Sequence, residues 1–375
     1  MRARRPLALA ACLTAAAAVT ACASESDSGG GHAAGGVSDH LGRLPVLDGD
    51  DPVVVTYADL DRAAEIAGVE PPDDPSDTDA VVDYLTTITG QQYEEGEPTT
   101  VGALVPVVSQ FGRSADLDGF ADDVGWSILE VDSYAERDTP PQRVAVLRGD
   151  FDGDRMGETL DEADDGVWVA GNPDGGLDVG DRSPARPIGE TLWLALDGDR
   201  LTITGDEGDM APTRDAAGGQ GTLADDATFA TLGAALDGHD VYTAMLEANQ
   251  LFLTDFALRS LGPDATPEQL EALGDLPRCE GVTGAAIGLA YDDRPLVVLV
   301  MAHVDEASAR ANADTVSEVL DEGAQLIPDR PWSDLLTVES VEAEGRAVVA
   351  TARPAADIWL PALYGPLVQR TFPPC

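Results

Sequence analysis

Residues 285–301, AAIGLAYDDRPLVVLVM, hold two apolar runs on either side of a short polar segment. The runs at 285–291 and 296–301 predict strands, because each is apolar and is bounded by turn residues. The segment between them, Asp-Asp-Arg-Pro, predicts the turn of a hairpin. This stretch therefore indicates an antiparallel pair of strands in the second half of the chain.

The residues that follow predict a helix and then another hairpin. Asp305 has the character of an N-cap, and Gly323 predicts the end of a helix that runs through Glu322. This helix would place four apolar side chains on one face, those of Ala309, Ala313, Val316 and Leu320. Residues 338–343 and 347–351 predict two strands joined by a tight turn.

The first half of the chain shows a similar order of elements. After an early buried strand at 53–57, the sequence predicts a strand at 144–147, a helix at 151–163 and a hairpin at 191–204. We therefore expect an α+β fold of two similar subdomains, each a mainly antiparallel sheet with helices packed on one face. The subdomains would span 47–220 and 221–375, divided at a Gly-rich, acidic loop over 206–221. Identity between the halves is too low to establish a duplication.

The first residues of the chain predict export. Three arginines precede an apolar run at 7–19, which is too short to span a membrane and is typical of a signal peptide at 1–21. The next motif, Val19-Thr20-Ala21-Cys22, resembles the lipobox of bacterial lipoproteins. The resemblance implies acylation of Cys22, cleavage before it, and anchoring at the extracytoplasmic face of the cell membrane. The alternative is ordinary secretory cleavage that leaves Cys22 as a plain thiol.

Residues 22–46 are rich in Gly, Ser and acidic side chains, and this composition predicts a flexible tether between the lipid and the folded part. His32 and His40 fall within it and are interpreted as solvated linker histidines.

The chain carries 69 acidic and 22 basic residues, all of the latter arginine, for a net charge of -47. Nucleic acid is therefore a poor partner, since phosphate binding needs clustered basic side chains. The acidity has two explanations: adaptation to a salt- or cation-rich exterior, or an acidic face for a basic or metal-loaded partner. Because the acidic residues are spread along the chain, the pattern favours the first.

The cysteines suggest one disulfide bond. Cys12 leaves with the signal peptide and Cys22 is lipidated, so Cys279 and Cys375 remain in an oxidising compartment. We predict that these two residues pair.

Motifs for catalysis or cofactor binding are absent from the sequence. Without lysine there is no P-loop and no pyridoxal Schiff base, and no cofactor or metal is expected. Asp150 to Asp154 has the spacing of acids in a calcium loop, but Arg155 stands where an EF-hand needs glycine, so Asp152 is interpreted as a helix N-cap.

Other acidic clusters, at 48–51, 164–165 and 206–209, are interpreted as solvated turns rather than glycosidase carboxylates. His303 ends a predicted buried strand and is the one candidate for a functional histidine, with a satisfied strand-end histidine as the default. His239 is expected in an exposed turn. Trp168, Trp193 and Trp332 are expected to pack in the core or cap hairpins.

Three short phrases, at 146–152, 222–226 and 331–334, resemble recurring phrases in large, uncharacterised lipoproteins of actinobacteria. This resemblance implies a location and no chemistry. We therefore expect a lipid-anchored, non-catalytic protein that binds or scaffolds a partner at the cell envelope. Two alternatives stay open: a solute- or lipid-binding carrier, which needs a cleft or cavity of several hundred Å³, and an envelope hydrolase that uses scattered acids with His303.

Overall fold

The computed structural model describes residues 35–47, 53–72, 76–91, 99–109, 116–139, 142–164, 166–174, 176–219, 221–248, 279–323, 331–356 and 358–368. Its helices are α1 (Val37–Leu41), α2 (Leu60–Ala67), α3 (Thr78–Ile88), α4 (Leu117–Val124), α5 (Gly153–Thr159), α6 (Glu207–Ala217), α7 (Ala227–Asp237), α8 (Glu306–Glu322) and α9 (Gly365–Val368). Short 3-10 turns occupy Val107–Ser109, Ile128–Glu130, Leu223–Asp225, Trp332–Asp334 and Leu360–Tyr364.

The strands are β1 (Val53–Asp59), β2 (Val131–Thr139), β3 (Gln142–Gly149), β4 (Asp161–Asp164), β5 (Val167–Ala170), β6 (Leu192–Asp197), β7 (Arg200–Thr204), β8 (Val241–Ala248), β9 (Val282–Tyr291), β10 (Pro295–His303), β11 (Leu336–Glu344) and β12 (Ala347–Pro354). They form one 12-stranded sheet in the order β11-β12-β10-β9-β8-β1-β2-β3-β7-β6-β5-β4. Every neighbouring pair is antiparallel. The α+β class with an antiparallel sheet is thereby confirmed.

The two halves of the chain have the same strand connectivity around the centre of the sheet. In the first half, β1, β2 and β3 follow one another outward, and the later hairpin adds β7 and then β6. In the second half, β8, β9 and β10 do the same, and the later hairpin adds β12 and then β11. Such a shared connectivity is what a duplicated unit would produce.

The halves do not, however, have separate sheets as the sequence led us to expect. β1 pairs with β8 from Val53 opposite Ala248 to Ala58 opposite Thr243, directly across the expected boundary at 220. Both strands are largely buried, and their apolar side chains share one core. The strands of residues 47–220 and 221–375 therefore join in a single compact unit.

Helices cover both faces of the sheet, whereas one face was expected. Side chains of α2, α3, α4, α5 and α8 pack on the first face, and α1 and α7 pack on the second. Strand β10 shows why both faces need cover: Val297, Leu299 and Met301 lie in the first core, and Val298 and Val300 lie in the second. A strand that is apolar at successive positions has no face that suits water.

The expected tether ends earlier than the sequence suggested. Within 35–46, α1 packs Val37 and Leu41 into the second core, and His40 is only 1% exposed. The interpretation of His40 as a solvated linker histidine is therefore wrong, because its ring is buried between α1 and the sheet. His32 lies outside the described residues.

Two local expectations also need correction. The loop expected at 206–221 contains α6, which keeps its helical form around Pro212 because Asp206 caps its first turn and Met210 is buried against β5 and β6. The helix expected at 151–163 is only α5, since Asp161–Asp164 forms the exposed edge strand β4. Acidic side chains on an edge strand discourage pairing with another sheet.

Several helix ends carry capping residues, and Asp152 and Asp305 among them were predicted from the sequence. The side chains of Asp77, Asp152 and Asp305 accept hydrogen bonds from backbone amides in the first turns of α3, α5 and α8. Gly68 ends α2 in the left-handed conformation, with φ 69°. In the described part of the chain, none of the helices has the length and apolarity required to cross a membrane.

Candidate functional site

A cleft of about 650 Å³ opens at the end of the sheet where β2 and β7 finish and β3 and β6 begin. Its described lining residues are Val108, Asp138, Gln142, Arg143, Gly176, Leu177, Ile188, Glu190, Thr191, Leu192, Ile203, Thr204, Gly205, Asp206 and Asp209. They come from four separated parts of the chain, which only the sheet pairing brings together. A cavity of this size is in the usual range for small-molecule sites.

One wall of the cleft is the loop that joins β5 to β6. Leu177 pairs with Glu190 as an isolated bridge, and the Asp178 amide donates to the Gly189 carbonyl at 2.9 Å. Gly189 has φ +78°, and a Cβ there would lie 1.9 Å from the backbone carbonyl oxygen of Asp178. The close approach of the two chain segments therefore requires glycine.

The loop is fixed to the body at further points. The buried Thr191 hydroxyl donates to the Asn172 carbonyl at 3.0 Å, and the Ala185 amide donates to Asp123 of α4 at 3.1 Å. These bonds hold the wall in place without a ligand.

Large apolar side chains stand exposed on this loop. Leu177 is 67% exposed, Val179 63% and Ile188 54%. Leu177 and Ile188 line the cleft, and deeper in it Ile203 and Leu192 belong to the first core. The cleft thus has an apolar surface that runs from the core to solvent, as binding sites for apolar groups do.

Three of the four carboxylates in the described lining are held by neighbouring groups. Asp138 accepts from Arg143 Nη2 at 3.2 Å, and Glu190 accepts from the Ile188 amide at 3.2 Å. Asp206 accepts from the Gly208 amide at 2.7 Å as the N-cap of α6. Arg143 also pairs with the buried Glu136 at 3.3 Å, so its charge is already compensated from two sides.

Asp209 is the exception among these carboxylates. It is 8% exposed, and its buried Oδ2 has no hydrogen-bond partner. Burial raises the pKa of Asp209, the charge of Asp206 raises it further, and the guanidinium of Arg137 opposes both. A buried carboxylate oxygen without a hydrogen-bond partner is costly, so the charge of Asp209 is poorly compensated by its surroundings.

Arg137 lies nearby on β2 and does not line the cleft. Its Nη1 donates to the Pro45 carbonyl at 3.2 Å, and its Nε has no hydrogen-bond partner. Burial lowers the pKa of Arg137, whereas the charge of Asp209 raises it. The two side chains influence each other electrostatically but form no ion pair within contact distance.

His303, the candidate from sequence, lies elsewhere. It ends β10, is 0% exposed, and its Nδ1 donates to the Met301 carbonyl at 3.1 Å, while Nε2 has no partner. Burial lowers the pKa of His303, and its backbone pairs with Arg346 through two hydrogen bonds. Among the described residues no carboxylate hydrogen-bonds to the ring, so an acid–histidine pair does not form there.

The remaining sequence candidates fall in three groups. Cys22 and Cys375 lie outside the described residues, and Cys279 takes part in a disulfide bond. Asp152 caps α5, as predicted, through the amides of Asp154 and Arg155. The acids expected as a solvated turn at 206–209 instead form the start of α6, and Asp206 and Asp209 among them line the cleft. The acids at 48–51 lie outside the described residues.

The tryptophans pack as the sequence predicted, and the second body histidine lies in the predicted turn but is half-buried rather than exposed. Trp193 and Trp332 are 4% and 1% exposed, and Trp168 packs partly buried against the first core. His239 lies in the turn after α7, where its amide donates to the Leu236 carbonyl. In the part of the chain that is described, no group of three or more His, Cys, Asp or Glu residues is arranged to hold a metal ion.

Comparison with known proteins adds no relative. No family model matches the chain, and no curated protein or solved structure matches it. The architecture and the cleft are therefore interpreted from their own chemistry.

Proposed function

We propose that this chain is a lipid-anchored, extracytoplasmic binding protein that takes a small ligand in the cleft where β3 begins and β7 ends. The observation that carries the proposal is the cleft itself, about 650 Å³ in volume, with apolar walls and a few inward polar groups. Among the functions that the sequence left open, a solute-binding carrier requires such a cleft, whereas a scaffold protein does not. The cleft therefore favours the carrier.

The arrangement of side chains favours binding over hydrolysis. Acid–base catalysis needs a titratable pair within hydrogen-bond reach of a reacting group. Neither His40 nor His303 lines the cleft, and each is sealed in a core, 1% and 0% exposed. The lining carboxylates other than Asp209 already accept hydrogen bonds that fix the local backbone or Arg143.

The proposed location rests on the lipobox-like motif and not on the folded part. Acylation of Cys22 would hold the chain at the membrane. The folded part, which is strongly negative, would be repelled by an anionic lipid surface. A ligand would then be captured outside the membrane barrier.

Gly205 provides a direct test because it lines the cleft with open space around it. A Cβ at Gly205 would meet no atom within 4 Å, so Gly205→Leu should fill the cleft without disturbing its walls. The experiment is native mass spectrometry of the protein purified from the membranes of an expressing bacterium. We expect wild type to carry a small molecule in addition to its lipid and Gly205→Leu to lose it.

Gly365→Leu is the matched control, since Gly365 also has open space around it and does not line the cleft. This variant should keep the small molecule. Equal masses of bound material in wild type and Gly205→Leu would overturn the proposed function.

A further inference from the structure

We propose that the cleft binds an organic cation whose charged group meets Asp209 and whose apolar body lies against Leu177 and Ile188. This inference rests on the proposed function, because it names the ligand class of the same cleft. Three independent properties of the site support it: the balance of charge, an unpartnered carboxylate, and an apolar wall.

The balance of charge excludes anions. The described lining contains four carboxylates and one guanidinium, and Arg143 is already in contact with Asp138 and Glu136. An incoming anion would meet this excess of negative charge and the net charge of -47 on the whole chain. A cation would be attracted by both, which raises its rate of encounter as well as its affinity.

Asp209 indicates the position of the ligand's positively charged group in the cleft. Its side chain is 8% exposed and lines the cleft, and its Oδ2 accepts no hydrogen bond. An ammonium or amidinium group held in the cleft beside Asp209 can compensate the charge of this poorly partnered carboxylate. The other lining carboxylates already accept hydrogen bonds from backbone amides or from arginine. They therefore attract the cation through their electrostatic field more than through direct contact.

The shape of the site favours an organic cation over a metal ion. Among the described residues, the carboxylates do not group as metal ligands do, since no cluster of three or more suitable side chains occurs. The exposed Leu177 and Ile188, at 67% and 54%, instead offer apolar surface at the mouth of the cleft. A ligand with both an amine and a hydrocarbon part would satisfy both regions.

The test compares three probes of equal length: hexylammonium, 1-hexanol and hexanoate. The lipidated protein is placed in phosphatidylcholine nanodiscs, with empty nanodiscs as the blank, and binding is titrated by ligand-detected NMR at ~20 mM ionic strength, where screening is weak. We expect hexylammonium to bind at least about 10-fold more tightly than hexanol, and hexanoate to bind most weakly.

Variants then locate the charge. Asp209→Asn should weaken hexylammonium about 10-fold and leave hexanol unchanged, and unchanged hexanol binding also shows that the cleft is still folded. Asp215→Asn is the matched control, because Asp215 lies on the same helix, carries the same charge and does not line the cleft. Leu177→Ser should weaken hexylammonium and hexanol alike.

The outcomes separate this inference from the proposed function. If hexanol or hexanoate binds as tightly as hexylammonium, or if Asp209→Asn and Asp215→Asn behave alike, the cation assignment is wrong while a ligand site remains. If no probe binds, the test is the charge of the small molecule that native mass spectrometry finds on the protein purified from membranes. A cationic molecule supports the inference, and a neutral or anionic molecule overturns it. If that protein also carries no molecule that depends on Gly205, both proposals fail.

Discussion

The imidazole of His40 packs edge-on against the ring of Tyr57, with ring centroids 5.0 Å apart and an interplanar angle of 67°. Its Nδ1 donates to the Gly36 carbonyl at 3.1 Å, so Nε2 accepts from the Ser133 hydroxyl at 3.2 Å. This neutral ring connects α1, the first described helix, to the centre of the sheet. Its environment makes the docking of α1 sensitive to pH.

Protonation of His40 at low pH should lower the free energy of unfolding. Burial lowers the pKa of His40 below its ordinary value of 6.5, with Arg148 and Arg43 acting in the same direction and Asp39 and the Gly36 hydrogen bond opposing. Because the unfolded chain binds the proton more readily, the stabilisation is complete above pH 6.5 and is lost as the pH falls below it. We expect His40→Gln to flatten the decline in the free energy of unfolding between pH ~7 and ~5.

The control for this experiment is His239→Gln, in the turn after α7. His239 makes no side-chain hydrogen bond to α1, so this variant is the reference for loss of a histidine elsewhere in the fold. His303, which is also buried, stays in both variants, so the difference between their profiles isolates His40. Identical profiles for wild type and His40→Gln would show that the ring does not couple α1 to protons.

Asp237 should hold α1 in place from the far end of α7. Its carboxylate accepts from the amides of Val37 at 2.6 Å and Ser38 at 3.1 Å, and so it caps α1 in the absence of a local side-chain cap. Removing a cap costs about 1 to 2 kcal/mol. Asp237→Ala should therefore increase amide exchange in α1 well before exchange rises in the sheet.

A matched variant for this prediction is Asp226→Ala. Asp226 caps the other end of α7 through the amides of Thr228 and Phe229. It should destabilise α7 without exposing α1 selectively. Equal exchange of α1 in both variants would contradict a specific role for Asp237.

Cys279 is disulfide-bonded, and we predict Cys375 as its partner. The bond would close a loop of about 97 residues and, in the chain-entropy model, stabilise the fold by roughly 4 to 5 kcal/mol. Mass spectrometry of non-reduced peptides should find the two cysteines linked. Cys279→Ser and Cys375→Ser should then lower the melting temperature equally, and a free Cys375 thiol in the native protein would refute the pairing.

Lipidation of Cys22 is predicted from the motif at 19–22. Labelled palmitate should enter the wild-type protein, and Cys22→Ala should abolish both labelling and membrane association. Cys12→Ala is the control, since that residue belongs to the segment removed on cleavage. Membrane association that survives Cys22→Ala would require a different anchor.

Local patterns allowed much of the fold to be predicted. The hairpin of β9 and β10, the helix α8 and the caps Asp152 and Asp305 each depend on residues close together in sequence. Hydrophobic periodicity and capping chemistry act at that range.

Long-range pairing was not visible in the same way. Strand β2 was not assigned, because it carries Ser133, Glu136 and Arg137 at positions that the structure buries, and its identity as a strand depends on its neighbours β1 and β3. Polar residues of this kind give no apolar alternation along the chain. The joining of the two halves through β1 and β8 depends in the same way on partners far apart in sequence.

The cleft could not have been predicted either. Its walls come from residues near 108, 138–143, 176–192 and 203–209, and no one of these segments has a recognisable binding motif. Asp206 and Asp209 suggested a solvated turn, because the composition around them is acidic and rich in glycine. The one sequence signal was the set of apolar residues Leu177, Val179 and Ile188 within a polar loop, which the structure leaves exposed.

The central pairing of β1 with β8 has a consequence for biogenesis. Strand β1 emerges from the ribosome early, whereas its second neighbour follows about half the chain later. Until then, a strand with buried, apolar character keeps one row of backbone donors and acceptors open to other chains. Delayed synthesis or premature termination before residue 241 should thus leave an unpaired, aggregation-prone strand edge, and chaperones would be most needed in that interval.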